Sequence, residues 1–177
     1  MTGSPLPAYF QSGRTDWETP AWLFERLDAE FRFTLDAAAS ADNAKCARFL
    51  GPGSNIAADA LGAAWAEETV WLNPPYGRGL GAWMEKAARS RAAGATVVCL
   101  LPARTDTAWF HGQVLAQAQE VRFIRGRLKF GGSRSGAPFP SILAVYRPAP
   151  VLTSLSASPD AVPAAGTNHP QARTYGP

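Results

Sequence analysis

The sequence predicts an α/β fold in which helices cover a parallel sheet. Three observations indicate this class: short apolar runs alternate with helical patterns, the run at 95–101 is continuously apolar, and polar residues follow the ends of the runs. The chain has 177 residues, of which 46% are hydrophobic, which suffices for one core and excludes a disordered or fibrous protein. We expect one domain over 14–148 between a flexible N-terminal tail, 1–13, and a flexible Pro/Ala-rich tail, 149–177.

The first predicted elements are a helix and two strands. Thr19-Pro20 indicates an N-cap and first residue of a helix over 20–30, because threonine can accept an orphan N–H and proline lacks one. The alternating stretch 31–36 predicts a strand that ends on the carboxylate of Asp36. A second strand, 70–72, ends before Asn-Pro-Pro because proline cannot donate to a ladder.

The rest of the chain continues the alternation. The pattern predicts a helix around 83–88, a strand buried on both faces at 95–101 and a helix over 106–118. Two last strands are predicted at 121–124 and 141–146. Since ligands of such sheets bind beyond the carboxyl ends of the strands, the residues that follow the strands are the candidates for a site.

Charge and cysteine content bound the partners and the compartment. Residues 1–76 hold 5 basic and 10 acidic side chains, whereas residues 77–177 hold 12 basic and 4 acidic ones. The basic second part suits a polyanion such as nucleic acid, and the acidic first part can offer carboxylates to a polar or cationic small molecule. The alternative is that the uneven charge reflects only two surfaces that are solvated differently. Cys46 and Cys99 form no CxxC pair and no apolar run approaches the ~20 residues of a membrane span, so we expect reduced thiols in a soluble cytoplasmic protein.

The most informative motif is Asn73–Tyr76, Asn-Pro-Pro-Tyr, directly after an apolar strand. The side-chain oxygen of Asn73 and the carbonyl of Pro74, held by a second proline at Pro75, could accept both hydrogens of an exocyclic amine, and Tyr76 offers a face for stacking. Two such acceptors favour a pyramidal nitrogen whose lone pair can attack an electrophilic methyl group, and they stabilise the developing positive charge. The alternative is a rigid turn that ends the strand.

These residues resemble those of S-adenosylmethionine-dependent DNA adenine-N6 methyltransferases, through the order Thr19-Pro20, Asp36 and Asn73–Tyr76. Three stretches resemble the compact bacteriophage-type members: Asp16–Pro20, Leu35–Ser40 and Phe139–Ser141. The resemblance covers about 14–148. It implies a single Rossmann-like methyltransferase domain with a mainly parallel sheet and a C-terminal antiparallel strand, and a site-specific, adenine-specific DNA methyltransferase in the cytoplasm of a bacterial cell or phage-infected host.

The resemblance also implies a role for single residues. Those matched to cofactor binding are Thr19, Pro20, Asp36, Ala38, Asp59 and Asn73. Asp36 would meet the methionine part of S-adenosylmethionine and Asp59 its adenine, while Asn73–Tyr76 would be catalytic; a helix cap or turn is the alternative for both aspartates. Ala37–Ala39 stand where many methyltransferases have a glycine-rich turn, and no acid is evident for the ribose hydroxyls.

A basic, glycine-rich segment is the predicted DNA surface. It holds five basic side chains and no acidic one: Arg122, Arg125, Arg127, Lys129 and Arg134. Clustered cations favour phosphate contacts through counterion release, and a solvated hairpin is the alternative. The residues predicted to bind the substrate are Tyr76, Arg104, Arg125, Arg127, Lys129 and Phe139. Phe139 could stack on an extruded base or pack in the core, and Arg104 could hold a phosphate or cap a helix.

We therefore expect transfer of a methyl group from S-adenosylmethionine to N6 of adenine in DNA, with the base flipped into the Asn-Pro-Pro-Tyr clamp. The clamp also fits amino groups of RNA or a protein glutamine, and an inactive DNA-binding module is a third interpretation. No metal is expected because His111 and His169 lack partners at ligand spacing. No membrane partner is expected, and a monomer is one possible oligomeric state.

Overall fold

The computed structural model describes residues 17–131 and 133–150, so the predicted tail 1–13 and most of the predicted tail 149–177 lie outside the described residues. The elements follow one another as α1 (Ala21–Phe31), β1 (Leu35–Asp36), β2 (Thr69–Leu72), α2 (Leu80–Ala92), β3 (Thr96–Pro102), a π-helix (Phe110–Leu115), β4 (Glu120–Phe123) and β5 (Ser141–Tyr146). This order confirms the predicted α/β class.

The five strands form one mixed sheet in the order β1-β2-β3-β5-β4. β1 pairs with β2 and β2 with β3 in parallel, whereas β5 runs antiparallel to both β3 and β4. The antiparallel direction of the C-terminal strand, implied by the resemblance, is confirmed. The sheet as a whole is mixed, with two parallel and two antiparallel strand pairs, so the expectation of a parallel or mainly parallel sheet is not confirmed. Every residue of β5 is buried, which matches its position between two neighbours and beneath helices.

Both faces of the sheet are covered, because successive side chains of its inner strands point to opposite sides. On one face α2 and the π-helix pack on side chains such as Leu72 and Val97. On the other face α1 and the stretch 128–137 pack on side chains such as Trp71 and Leu100. Within the described residues, no helix is both long enough and apolar enough to cross a lipid bilayer.

The start of α1 differs from the prediction in its cap. Pro20, and not Thr19, holds the N-cap position, and no side chain caps the helix. The Pro20 carbonyl accepts the N–H groups of Leu23 and Phe24 at 3.0 and 3.2 Å. The predicted N-cap role of Thr19 is therefore wrong, and its hydroxyl is available for a contact outside the helix.

The predicted strand 31–36 is wrong in its first half. α1 continues to Phe31 and ends on Arg32, whose left-handed φ of 57° turns the chain, while the Asp28 carboxylate accepts the Phe33 N–H at 2.8 Å. The alternation of phenylalanines that predicted a strand instead serves ring packing, with the Phe31 and Phe33 centroids 5.8 Å apart. Only the last two residues of the stretch pair with β2.

The predicted helix over 106–118 shortens to the π-helix. A turn precedes it, in which the Thr107 hydroxyl donates to the Arg104 carbonyl at 2.8 Å. Of the three side chains whose spacing of four predicted this helix, Phe110 and Val114 are buried and Ala118 is partly buried against the same core. Their spacing of four therefore indicated the packing correctly, although it overstated the length of the helix.

The carboxyl ends of the three parallel strands meet at one edge of the sheet. Asp36 ends β1, Asn73 follows β2 and Ala103 follows β3. β5 begins at the same edge, where Ser141 pairs with Pro102. Sequence-distant polar residues are thus brought together at this carboxyl edge, as parallel pairing requires.

Candidate active site

A cleft of about 270 Å³ opens at the carboxyl edge between β1, β2 and the segment that precedes α1. It is lined by Trp17, Glu18, Thr19, Asp36, Ala38, Ser40, Asn43, Lys45, Pro52, Trp71, Asn73, Pro74 and Pro75. The predicted residues that it brings together are Thr19, Asp36, Ala38, Asn73, Pro74 and Pro75. Three separate sequence motifs therefore share one concave site, which is the usual form of a small-molecule site.

Asp36 is the buried acid of this cleft, with only 3% of its surface exposed. Its carboxylate accepts the backbone N–H of Lys45 at 3.0 Å and that of Ala38 at 3.3 Å. Burial raises the pKa of Asp36 to about 6, and the two backbone hydrogen bonds oppose that shift. The carboxylate is thus mostly ionised at pH 7 but poorly neutralised, a setting that favours a cationic ligand.

The three alanines after β1 explain how this chain manages without a glycine-rich turn. Ala37 and Ala39 are buried in the core, and their N–H groups donate to the carbonyls of Trp71 and Leu50. Ala38, between them, lines the cleft. None of the three has a positive φ, so the backbone here requires no glycine.

An ion pair closes one side of the cleft. The Lys45 ammonium lies 2.8 Å from the Glu18 carboxylate, and both residues line the cleft. The side chain of Lys45 is 20% exposed and that of Glu18 is 45% exposed, so this pair can exchange partners with a ligand at low cost. No sequence motif singles out either side chain as charged lining of a site, because a lone lysine in a loop and a glutamate before a helix carry no spacing signal.

Asn73 has a fixed side-chain orientation. Its Nδ2 donates to the Trp17 carbonyl at 2.6 Å and to the Thr19 hydroxyl at 3.1 Å. Its Oδ1 is buried and has no hydrogen-bond partner within the described part of the chain. A buried acceptor without a partner is rare in folded proteins and indicates a place where a ligand donor is expected.

Tyr76 lies at the centre of an aromatic cluster beside the cleft. Its hydroxyl donates to the Leu100 carbonyl at 3.2 Å, and burial raises the pKa of the phenol. Its ring centroid lies 6.3 Å from that of Trp17 with the planes 22° apart, 5.5 Å from that of Phe139 and 6.3 Å from that of Phe130. The phenol is therefore held neutral and in place, suited to packing against a planar group and not to proton transfer.

The basic segment after β4 has its charges on the outside. Arg125, Arg127 and Lys129 are exposed, whereas Leu128 and Phe130 are buried between and beside them. This alternation orients the cations toward solvent, since the apolar side chains hold the strand-like segment against the α1 face of the sheet. The cations are thus free to meet a polyanion.

The segment is tied to the cleft through its backbone. The Gly131 N–H donates to the Glu18 carbonyl at 2.9 Å, and the Ala137 N–H donates to the Leu128 carbonyl at 2.8 Å. A second cavity, of about 390 Å³, lies under it and is lined by Trp17, Phe130, Gly131, Ser133, Ser135, Gly136, Ala137 and Pro138. Trp17 lines both cavities and so connects the cleft with the basic segment.

Arg122 does not belong to the exposed cationic surface, contrary to the sequence prediction. Its guanidinium donates twice to Glu30 at 2.6 Å and through Nε to Glu120 at 2.6 Å. It also lies 5.3 Å from the centre of the Phe31 ring. The Arg122 hydrogen bonds lower the pKa of both carboxyls, so this arginine joins α1 to β4.

Other predicted residues lie outside the cleft lining. Asp59 is exposed and its Oδ1 accepts the Leu61 N–H at 3.1 Å, which matches the turn alternative. Arg104 is exposed in the turn after β3, and Pro20 serves as the N-cap of α1. Phe139 packs edge-on against Trp17, with the centroids 4.9 Å apart.

The two cysteine thiols and any cluster of metal-ligating side chains are the other groups that could carry chemistry. Cys46 and Cys99 carry free thiols, and burial raises the pKa of Cys46 to about 12. Among the described residues, no three His, Cys, Asp or Glu side chains are grouped closely enough to hold a metal ion. The charged side chains that line the cleft are Glu18, Asp36 and Lys45.

Comparisons with known proteins identify the family of the chain. The family model described as DNA N-6-adenine-methyltransferase (Dam) matches residues 9–158. The DNA N-6-adenine-methyltransferase of Haemophilus phage HP1 (strain HP1c1) is 30% identical over 156 residues, which cover 84% of this chain and 87% of that protein. A protein of the same name from Escherichia phage T1 is 35% identical over 114 residues, which cover 63% of this chain and 45% of that protein. The chain thus belongs to the DNA N-6-adenine-methyltransferase (Dam) family.

Proposed function

We propose that this chain transfers a methyl group from S-adenosylmethionine to N6 of adenine in DNA, with the base extruded from the duplex and its amine held by Asn73–Tyr76. The observation that carries the proposal is the Oδ1 of Asn73, which is buried without a hydrogen-bond partner in the described part of the chain and belongs to a residue that lines the cleft together with Asp36. The family match supports adenine in DNA as the substrate. The domain would be a Rossmann-like methyltransferase domain, and its place of action the cytoplasm of a bacterial cell or phage-infected host.

The cleft residues fit the charges of S-adenosylmethionine. The amino group and sulfonium of S-adenosylmethionine are cationic, and Asp36 is a buried carboxylate that forms no close ion pair within the described residues, although the nearby Lys45 ammonium lowers its pKa. The carboxylate of S-adenosylmethionine is anionic, and Lys45 is a cation that lines the same cleft. Ala38 would add a contact from the turn after β1, whereas Thr19 and Asn73 line the same cleft. These complementary charges are the physical reason to place the cofactor in this cleft.

When bound, S-adenosylmethionine supplies an electrophilic methyl group on a sulfonium centre. Asn73 Oδ1 and the Pro74 carbonyl would accept the two N–H groups of the adenine amine, which pyramidalises the nitrogen and frees its lone pair. The amine nitrogen would form the new N–C bond with that lone pair while the bond between the methyl carbon and the sulfonium sulfur breaks, which leaves a neutral thioether, and the nitrogen would then lose one proton to solvent. The two acceptors stabilise the positive charge that builds on nitrogen, which makes preorganised electrostatics the main catalytic term.

Tyr76 and its neighbours would hold the extruded base. The phenol is neutral because burial raises its pKa, so it would contribute a ring face and not a proton. Phe139, 5.5 Å away, and Trp17 offer further aromatic surface at the same place. Base extrusion costs a few kcal/mol, which stacking and the amine hydrogen bonds must offset.

The exposed cations of the basic segment would contact DNA phosphates. Arg125, Arg127 and Lys129 point to solvent next to the aromatic cluster, and Arg104 is exposed at the same edge of the sheet. Phosphate contacts position a duplex without reading its sequence. A methyl acceptor in RNA or in a protein glutamine would use the same clamp, but both relatives named above are DNA methyltransferases.

The direct test is to incubate the purified chain with S-adenosylmethionine and unmethylated genomic DNA, then digest the DNA and quantify N6-methyladenine by mass spectrometry. We expect N6-methyladenine to accumulate with time and enzyme concentration, and none to form on the same DNA without cofactor. Parallel reactions with RNA of matched length are expected to stay unmethylated. Cofactor binding without methylated adenine in any DNA would refute the proposal and favour an inactive DNA-binding module.

A further inference from the structure

The amide nitrogen of Asn73 uses both of its hydrogens within the protein. One is donated to the Trp17 carbonyl at 2.6 Å and the other to the Thr19 hydroxyl at 3.1 Å. Both acceptors come from the short segment that precedes α1, more than fifty residues away in sequence. The oxygen of the same amide is buried without a partner in the described residues.

This arrangement permits one orientation of the amide. A flip about the terminal torsion would place Asn73 Oδ1 against the Trp17 carbonyl, where two acceptors would repel each other. The Thr19 hydroxyl holds the second hydrogen and so restrains the amide plane from the other side. Hydrogen bonds in such a chain polarise one another, which makes Oδ1 a better acceptor.

Thr19 is free for this contact because it does not cap α1. Pro20 occupies the N-cap position and no side chain caps the helix. Thr19 is nevertheless 4% exposed, so its hydroxyl is buried and directed into the site where Asn73 lies. A buried hydroxyl needs a partner, and the partner it has is the catalytic amide of the proposed clamp.

We infer that Thr19 is a positioning residue for methyl transfer: its hydroxyl, together with the Trp17 carbonyl, holds the Asn73 amide so that Oδ1 faces the target amine. The inference rests on the proposed clamp. It differs from the role that the family resemblance implied for Thr19, which was contact with the cofactor. The two roles predict different kinetics, because a positioning residue acts on the transition state and a cofactor contact acts on binding.

The test compares Thr19→Val, which keeps the shape and removes the hydroxyl, with Thr19→Ser, which keeps the hydroxyl. We expect Thr19→Val to lower kcat about 10- to 100-fold, with KM for S-adenosylmethionine and for DNA within about 3-fold of wild type. Thr19→Ser is expected to stay within about 3-fold of wild type in kcat. A Thr19→Val enzyme with normal kcat, or one that loses only cofactor affinity, would overturn the inference.

The Asn73→Ala background separates this inference from the proposed function. If Asn73→Ala keeps wild-type activity, the clamp itself is wrong. If Asn73→Ala is inactive and Thr19→Val is normal, only the inference about Thr19 is wrong. We expect Thr19→Val to leave cofactor affinity within about 3-fold in the Asn73→Ala background too, since the hydroxyl acts through the amide. If thermal melting shows that Thr19→Val does not fold, Thr19→Ala is measured in its place, with the same expected changes in kcat and KM.

Discussion

The cleft and the basic segment 124–139 lie at the same edge of the sheet but hold their polar groups in opposite ways. In the cleft, hydrogen bonds hold Asp36 and the Asn73 amide in place, and the Oδ1 of Asn73 has no partner among the described residues. In the segment, Arg127 and Lys129 are exposed. A preorganised, partly unsatisfied site suits chemistry, whereas exposed surface cations suit a polyanion that binds in many registers.

The same contrast separates arginines that are neighbours in sequence. Arg122 and Arg125 belong to one basic run, but Arg122 is tied to Glu30 and Glu120 while Arg125 is exposed. A cationic run in a sequence therefore overstates the charge that is available to a partner. Burial and ion pairing decide which basic side chains of the run remain available to a partner.

The largest effect is expected from removing the unsatisfied acceptor of the cleft. Asn73→Ala deletes Oδ1, and loss of one preorganised hydrogen-bonding group in a catalytic site costs about 10²- to 10³-fold in kcat. Cofactor affinity, measured by calorimetry, is expected to change by less than about 3-fold. Asn55→Ala, at an exposed position, is the matched control and is expected to behave as wild type. Wild-type turnover in Asn73→Ala would show that the clamp has been assigned to the wrong residues.

The second effect concerns pH and the cleft acid. Burial raises the pKa of Asp36 to about 6, and only the ionised carboxylate attracts a cationic ligand, so the affinity for such a ligand falls when Asp36 is protonated. We expect the dissociation constant of S-adenosylmethionine to be flat above pH 7 and to rise by about tenfold at pH 5. Titration calorimetry between pH 5 and 8 measures this directly.

The Asp36→Asn variant is the control for that pH dependence. It is expected to bind the cofactor weakly at every pH, with no inflection near 6. The effect of pH on folding stability has the opposite direction to its effect on cofactor binding. Because the pKa of Asp36 is higher in the folded than in the unfolded chain, Asp36 stabilises the unliganded fold below about pH 4. That contribution to stability is lost as the pH rises through about 6. An inflection that survives in Asp36→Asn would assign the titration to another group.

Much of the fold could be predicted from the sequence because its signals are local. β5 was predicted with its exact bounds, and the apolar runs that became β2 and β3 were predicted to within a residue or two. The stretch 31–36 misled because aromatic alternation has two physical causes, strand pairing and ring packing on a helix end. Only the tertiary environment distinguishes them.

The site was predictable where a motif carried it and not elsewhere. Asn73 and Asp36 follow strands and were found for that reason, and the cleft unites them. Glu18 and Lys45 form an ion pair across 27 residues that no sequence spacing indicates. The hold of Thr19 on Asn73 was equally invisible, since its sequence context favours a helix cap.

A smaller effect is expected from the surface cations. The double variant Arg127→Gln/Lys129→Gln should weaken DNA binding about tenfold near 0.1 M salt and lower the slope of log K against log salt by about 2. Fluorescence anisotropy at several salt concentrations measures both. Arg89→Gln, in the last turn of α2 and 69% exposed, is the control cation and is expected to leave the slope unchanged. Equal slopes for wild type and the double variant would move the DNA surface away from this segment.

The smallest effect separates the tied arginine from the free ones. Arg122→Leu removes the bidentate contact with Glu30 and the contact with Phe31, and because the pair is about a third exposed we expect a loss of only about 1 kcal/mol in the free energy of unfolding. Urea denaturation measures it. The salt slope of DNA binding should stay at the wild-type value, since this guanidinium is already neutralised by two carboxylates. A slope reduced by about 1 would mean that DNA takes Arg122 from Glu30 and Glu120, and that the division between structural and binding cations at this edge depends on the ligand.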